Sequence, residues 1–260
     1  MIKKGYMVTR YVTGLGFIGS HLAKKLDLTH IPHEKIKPVK IKPFDYFYFL
    51  SSYGNMIQHT DEDKMFQANV LDLITILTKI KTIPFKNFVF MSTSSIMLKR
   101  QTTYSRMKRI AEELLLVYME RHNLPICIIQ PFSVTGVGEQ SEHLIPTLLR
   151  AAKTGERINF VPQSTHDWID VDDVVDGIIS LSDHKARGIF QLGTGIKTTN
   201  QQVLNLVEEI TGKKINVNVV ESLREYDSEE WVSYNYKARM YGWLPRKTLY
   251  QSIKEQHETQ

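Results

Sequence analysis

Three glycines at a fixed spacing constrain this chain more than any other feature. Gly14, Gly16 and Gly19 lie in Thr13-Gly14-Leu15-Gly16-Phe17-Ile18-Gly19-Ser20, after a β-rich stretch from Tyr6 to Thr13 and before a helical one from Ser20 to Leu28. The first glycine permits a tight turn, the second leaves the backbone bare for a diphosphate, and the third lets the helix pack closely on the strand. The helix N-terminus then presents its N–H groups to the phosphates. Strand, glycine turn and helix in this order predict a dinucleotide site contacted by Gly14, Gly16, Phe17, Ile18 and Gly19.

The rest of the chain alternates in the way such a domain requires. Apolar strands are expected at Phe44 to Leu50, Phe88 to Ser92, Ile126 to Gln130 and Ile189 to Leu192. Helices are expected at about Asp63 to Ile80, Tyr104 to His122, Ile145 to Thr154 and Thr199 to Thr211, with another opening in the acidic stretch Asp170 to Asp176. Strands alternating with helices predict an α/β fold, a doubly wound parallel sheet with helices on both faces. Thr29 to Pro43, rich in Pro and Lys, leaves room for at most a short strand near Ile31 to Ile36. Beyond Pro131 the pattern loosens without any repeat or low-complexity linker, so the second half is expected to cap the first.

Composition removes several classes of function. No apolar run reaches membrane-spanning length and the start lacks a cleavable leader, so no membrane contact and a cytoplasmic location are expected. Cys127 is the only cysteine, which leaves no disulfide and no cysteine-rich zinc site. The net charge of +5 arises from 33 basic and 28 acidic residues spread along the chain, without the aromatic interleaving of a nucleic-acid groove. No metal is expected either: His166-Asp167-Trp168 and the acids after it read better as a helix start capped by Asp172 and Asp173.

Two further groups of residues bear on chemistry. About twenty residues past the glycines an acid would hold the adenosine ribose of NAD, and Glu34 falls there; His33, Lys35 and Lys37 around it would suit the extra phosphate of NADP equally, and plain loop charges are the third reading of all four. NAD is slightly favoured, NADP possible. Tyr104 and Lys108 stand one helical turn apart, where a lysine ammonium would lower the phenol's pKa and make it an acid/base. Tyr250 and Lys254 repeat the spacing in the tail, but only Tyr104 follows a strand ending in the hydroxyl-rich Ser92-Thr93-Ser94-Ser95.

With these residues in hand, the chain resembles the NAD-dependent epimerase/dehydratase family, the extended short-chain dehydrogenases/reductases. Val12 to Leu22, Asp45 to Ser52 with Asn69-Val70, Ser92-Thr93, Tyr104/Lys108, Pro131 to Gly138, Asp167 to Val174, Leu192 to Gly195 and Gly242 to Pro245 match its blocks in order. The resemblance implies a Rossmann-type cofactor domain (1–131 and 166–193) with a small C-terminal substrate-capping lobe (132–165 and 194–260). It also implies nicotinamide-dependent hydride chemistry on a nucleoside-diphosphate sugar, and a homodimer. By the same resemblance Thr93, Tyr104 and Lys108 form the catalytic set; Leu50, Ser51, Tyr104, Lys108 and Phe132 touch the cofactor; and Thr93, Ser94, Ser133, His166 and Arg224 touch substrate.

The chain departs from the family in a glycine motif one residue shorter, in the compression of Thr29 to Pro43, and in Gln130, Ser133 and His166 at positions often held by Arg, Asn and Arg. The expected activity is nucleotide-sugar epimerisation; a keto-sugar reductase using NADPH and a non-catalytic cofactor-binding regulator are the alternatives. Sugar 4,6-dehydration is not expected, because Ser94 and Ser95 stand where that chemistry needs acids.

Overall fold

The computed structural model describes residues 8–56, 58–221 and 231–259. The chain divides into two compact units, one comprising Met1–Ser92, Thr103–Ile129 and Ile178–Ile189, the other Thr93–Thr102, Gln130–Gly177 and Phe190–Gln260.

The first unit is organised by strands β1 (Arg10–Thr13), β2 (Thr29–His30), β3 (Tyr46–Phe49), β4 (Asn87–Met91) and β5 (Ile126–Pro131). With the strand Gly188–Leu192 they form a six-stranded sheet in the order Gly188–Leu192, β5, β4, β3, β1, β2. The pairings from β5 through to β2 are parallel. Every residue of β3, β4 and β5 is buried, as expected of parallel strands covered on both faces. Phe47 lies opposite Phe88 and Phe49 opposite Phe90, with ring centroids 5.2 and 5.9 Å apart, so the register is set by stacked aromatic pairs. Order reverses at β1, which has β2 on one side and β3 on the other; ligands of such sheets bind at the carboxyl edge of that switch point.

The outer side of the sheet is shorter than the sequence suggested. The strand is Thr29–His30, not Ile31 to Ile36, and is the sheet's last; beyond Pro32 the chain enters a 3-10 turn, His33–Lys35. Proline has no N–H to extend a ladder, and Ile31 and Ile36, both buried, pull the segment back onto the core. Helix α1 (Phe17–Lys25) begins at the glycines themselves, with Gly16 as its N-cap, three residues before the expected start. Helices α2 (Glu62–Phe66) and α3 (Asp72–Ile80) are joined by a π-helical turn, Gln67–Leu71. In that turn buried Asn69 donates to the Met65 and Tyr53 carbonyls at 2.7 and 2.6 Å, holding the loop after β3 in place. Helix α4 (Thr103–His122) buries Ala111 and Leu115 in the same core.

The second unit has its own core, in which Leu148, Leu149, Phe160, Trp168, Val203, Leu204 and Val207 pack together. Its helices include Leu144–Thr154 and Asn200–Thr211, the latter opened by a capping box between Thr199 and Gln202. The cap of helix Val171–Asp183 is Asp170, whose carboxylate accepts from the Asp172 N–H at 2.8 Å, and not Asp172 or Asp173 as expected. Those two acids lie in the first turn and receive Lys247, by its Nζ on Asp172 (3.0 Å) and its N–H on Asp173 (2.9 Å). Among the described residues no helix is long and apolar enough to cross a membrane.

Candidate active site

Gly14 sits at the end of β1 with φ of +81°, and a Cβ there would approach the Ser51 nitrogen to 2.5 Å. A side chain at Gly19 would fall on the Gly14 carbonyl oxygen, whereas one at Gly16 would meet nothing within 4 Å. Turn and helix are therefore locked together by the outer two glycines, and the middle one faces open space at a helix N-terminus. That terminus has no side-chain cap and no acid in its first turn, where Phe17 and Ile18 stand, so its field favours an anion. Leu50 and Ser51 lie beside it: the Leu50 N–H donates to the Thr13 carbonyl (2.9 Å) and the Ser51 hydroxyl to that of Thr13 (3.0 Å). These residues fit a dinucleotide's diphosphate. Glu34 stands exposed in the 3-10 turn, and the carboxyl end of β2 leads into Ile31 and Pro32 without a carboxylate. Its neighbour His33 is turned to the buried Asp72 at 2.5 Å.

Tyr104 and Lys108 share a face of α4, with the Lys108 Nζ 5.9 Å from the Tyr104 ring centroid. Lys108 is fully buried; its Nζ donates to the Met91 carbonyl at 2.9 Å and lies 4.8 Å from the Phe90 ring centroid. Burial pulls its pKa down to about 7, against the opposing pull of Glu112. Burial likewise pushes the Tyr104 phenol above 10.0, although a hydrogen bond from the Ser52 side chain acts the other way. The expectation that the phenol's pKa is lowered is thus corrected for the protein alone, since burial takes the phenolate out of water and raises it.

This arrangement has a measurable consequence for stability. Between about 7 and the ordinary lysine value of 10.5, folded Lys108 binds fewer protons than unfolded Lys108, so the cofactor-free protein gains stability as pH rises through that window. Urea unfolding of Lys108→Met at pH 7 and pH 9 is expected to show a smaller gain between the two than the wild type; an identical gain would refute the buried, depressed lysine.

In the second unit Thr93 heads a 3-10 turn, Ser94–Met97; its hydroxyl accepts from the Ser95 N–H at 3.2 Å and lies 3.0 Å from the Ser95 hydroxyl. Ser94 is buried within that turn. Phe132 is buried, its N–H on the Leu192 carbonyl at 2.9 Å. Ser133 and His166 come together, Oγ to Nδ1 at 3.1 Å, and the His166 ring lies 5.2 Å from those of both Trp168 and Trp231. Arg224 lies outside the described residues.

Two features escaped the sequence reading. Asp167, fully buried, accepts from the Thr194 N–H and hydroxyl (2.7 and 2.6 Å), the Gly195 N–H (2.9 Å), and the Ser233 N–H and hydroxyl (3.0 and 2.6 Å). One carboxylate thereby ties together three segments far apart in sequence. The other is the bond between Ser52 and Tyr104, for which no spacing rule gives a signal.

A family model described as the NAD dependent epimerase/dehydratase family matches residues 32–193. A UDP-glucose 4-epimerase of Rhizobium leguminosarum bv. trifolii is 26% identical over 257 residues, covering 85% of this chain and 76% of the relative. A UDP-glucose 4-epimerase of Corynebacterium glutamicum is 24% identical, covering 88% and 79%. Among solved structures, a UDP-N-acetylglucosamine 4-epimerase of Methanobrevibacter ruminantium superposes with a TM-score of 0.87 at 17% identity, over 96% of this chain and 97% of its own. The UDP-glucose 4-epimerase of Thermus thermophilus in complex with NAD gives 0.84 at 19%, over 96% and 98%. At these identities the superpositions establish a shared Rossmann-type fold.

Proposed function

Because the chain belongs to the NAD dependent epimerase/dehydratase family, we propose that it is a nucleotide-sugar epimerase working by transient hydride transfer to NAD. The observation that carries this reading is the Tyr104–Lys108 pair, one turn apart on α4 and in the same unit as the open glycine turn. Bound NAD supplies the hydride acceptor and donor, and its positively charged ring lowers the pKa of a neighbouring phenol. Gly14, Gly16, Gly19 and the first turn of α1 hold its diphosphate, while Leu50, Ser51 and Phe132 line it. Tyr104 takes the proton of the reacting sugar hydroxyl and returns it after the keto sugar has turned over, with Thr93 hydrogen-bonding the same oxygen. Lys108 orients the cofactor's ribose, and Ser94, Ser133, His166 and Arg224 grip the substrate.

Incubation with UDP-glucose or UDP-galactose and NAD is expected to yield the 4-epimer with no net change at 340 nm, because the cofactor is recycled. A change of about one equivalent per product would make the protein a reductase instead. Cofactor binding without turnover of any nucleotide sugar would make it a regulator.

The enzyme acts as a homodimer through α4 and its neighbouring helices. On α4 the exposed apolar side chains are Ile110 (48%) and Val117 (46%), with Phe66 and Leu71 exposed before α3. Leu115 takes no part in that face, being fully buried with Ala111 in the sheet's core. The double variant Ile110→Asp/Val117→Asp is expected to be monomeric by light scattering at micromolar concentration. A monomeric wild type under those conditions would overturn the dimer.

A further inference from the structure

The peptide group that joins Tyr53 to Gly54, a few residues beyond β3, has both of its polar ends taken. Its carbonyl accepts from the buried Asn69 amide at 2.6 Å, and its N–H donates to the Nδ1 of His59 at 3.3 Å. A peptide group is planar, so bonds at its two opposite ends fix its orientation. The two partners are themselves held. Asn69 also donates to the Met65 carbonyl, at 2.7 Å. His59 donates its backbone N–H to the Met56 carbonyl (2.9 Å) and stacks its ring on that of Tyr53, with centroids 4.2 Å apart and planes 22° from parallel. The Lys64 ammonium of α2 lies 4.3 Å from the same Tyr53 centroid.

Gly54 in turn abuts Tyr104. At φ of +113°, where glycine is favoured, it brings bare backbone so close that a Cβ would come within 3.2 Å of the Tyr104 ring and 2.9 Å of Met65. Glycine is also where a peptide turns over most cheaply, because φ of either sign is open to it. From this geometry we infer that His59 is a positioning residue for the acid/base Tyr104, acting through the Tyr53–Gly54 peptide: its Nδ1 keeps that peptide in the orientation against which the phenol ring packs. The inference rests on the reading of Tyr104 as the acid/base. A backbone N–H can only donate, so Nδ1 offers its lone pair and the ring carries its proton on Nε2. Without that acceptor the Asn69 bond alone would hold the peptide, and the surface under the ring could rotate with it. Proton transfer needs its partners in place to within a fraction of an ångström, so such a shift reaches the phenolic oxygen as lost rate.

The test uses the full-length protein loaded with NAD and compares two substitutions. His59→Phe keeps a ring to stack on Tyr53 but removes the acceptor, whereas His59→Asn gives up the ring and keeps an acceptor on Cγ, the atom that carries Nδ1. His59→Phe is expected to lower kcat for UDP-glucose by about tenfold to a hundredfold, the scale of a misplacement of about 1 Å, with KM and NAD affinity little changed. His59→Asn should recover most of that loss. In a Tyr104→Phe background, where the phenolic oxygen is gone, His59→Phe should leave the residual rate as it is. Nitrogen-15 spectra of the histidine-labelled protein read the bond without turnover: the resonances that vanish in His59→Asn should show a proton on Nε2 and a bare Nδ1 at pH 8. An unmoved kcat in His59→Phe, an equal loss in His59→Asn or in the Tyr104→Phe background, or a proton on Nδ1 would each overturn the inference about His59. Full activity of Tyr104→Phe itself would instead overturn the acid/base reading on which it rests.

Discussion

Tyr104→Phe is expected to lower kcat for epimerisation by about a hundredfold to ten-thousandfold, the range associated with losing a positioned acid/base, while leaving NAD bound. The ring and its packing against Gly54 survive the change, so what disappears is the phenolic oxygen and its bond to Ser52. KM for the nucleotide sugar should change much less than kcat, because the lost interaction strengthens only as the proton moves. The cofactor is the internal control: Lys108, buried under the Met91 carbonyl, is untouched by the substitution. Stopped-flow turnover together with NAD titration decides it. A fall in NAD affinity matching the fall in kcat would mean that Tyr104 holds the cofactor and does not transfer the proton.

The parts of this molecule that could be read in advance are those fixed by local rules. β3, β4 and β5 are buried on both faces, so each is written as an unbroken apolar run that needs no knowledge of its neighbours. The glycine turn is legible for a similar reason: its constraints act between residues a few positions apart and Ser51 at the next strand's end. The helix begins three residues earlier than expected because the glycine motif, read as a turn that precedes it, already contains its N-cap, Gly16, and its first turn, Phe17 and Ile18.

What stayed hidden depends on contacts between distant segments. Asp167 reads in sequence as one acid among several beside His166, and only the fold brings Thr194, Gly195 and Ser233 to it. Spacing places a lysine beside a phenol but carries no signal that the lysine is fully enclosed, which is what lowers its pKa. Glu34 sits at the right distance along the chain from the glycines, yet Pro32 ends β2 early and puts that carboxylate in an exposed turn. Sequence separation is a reliable guide only where the strand in between runs its usual length.

Gly16→Asp is expected to abolish measurable NAD binding, weakening it by more than about a hundredfold, and to leave the melting temperature unchanged or slightly raised. The three glycines are not equivalent. Gly16 has φ of −70°, which any residue adopts, and a side chain there meets no protein atom within 4 Å. An aspartate at that N-cap would satisfy helix N–H groups that now have no side-chain cap, a change that by itself favours folding. The same carboxylate would place bulk and negative charge where the diphosphate must lie, and would take up the N–H groups on which it depends. Gly14→Ala and Gly19→Ala should behave in the opposite manner. The first forces a side chain into positive φ against the Ser51 backbone, at a cost of about 1–3 kcal/mol, and the second drives one into the Gly14 carbonyl. Both should lose stability before binding can be assayed. Gly16→Asn, matched in size but uncharged, separates bulk from repulsion and should bind NAD more tightly than Gly16→Asp. Calorimetry on the three folded proteins settles the matter: NAD affinity in Gly16→Asp equal to that of the wild type would remove the diphosphate from this turn.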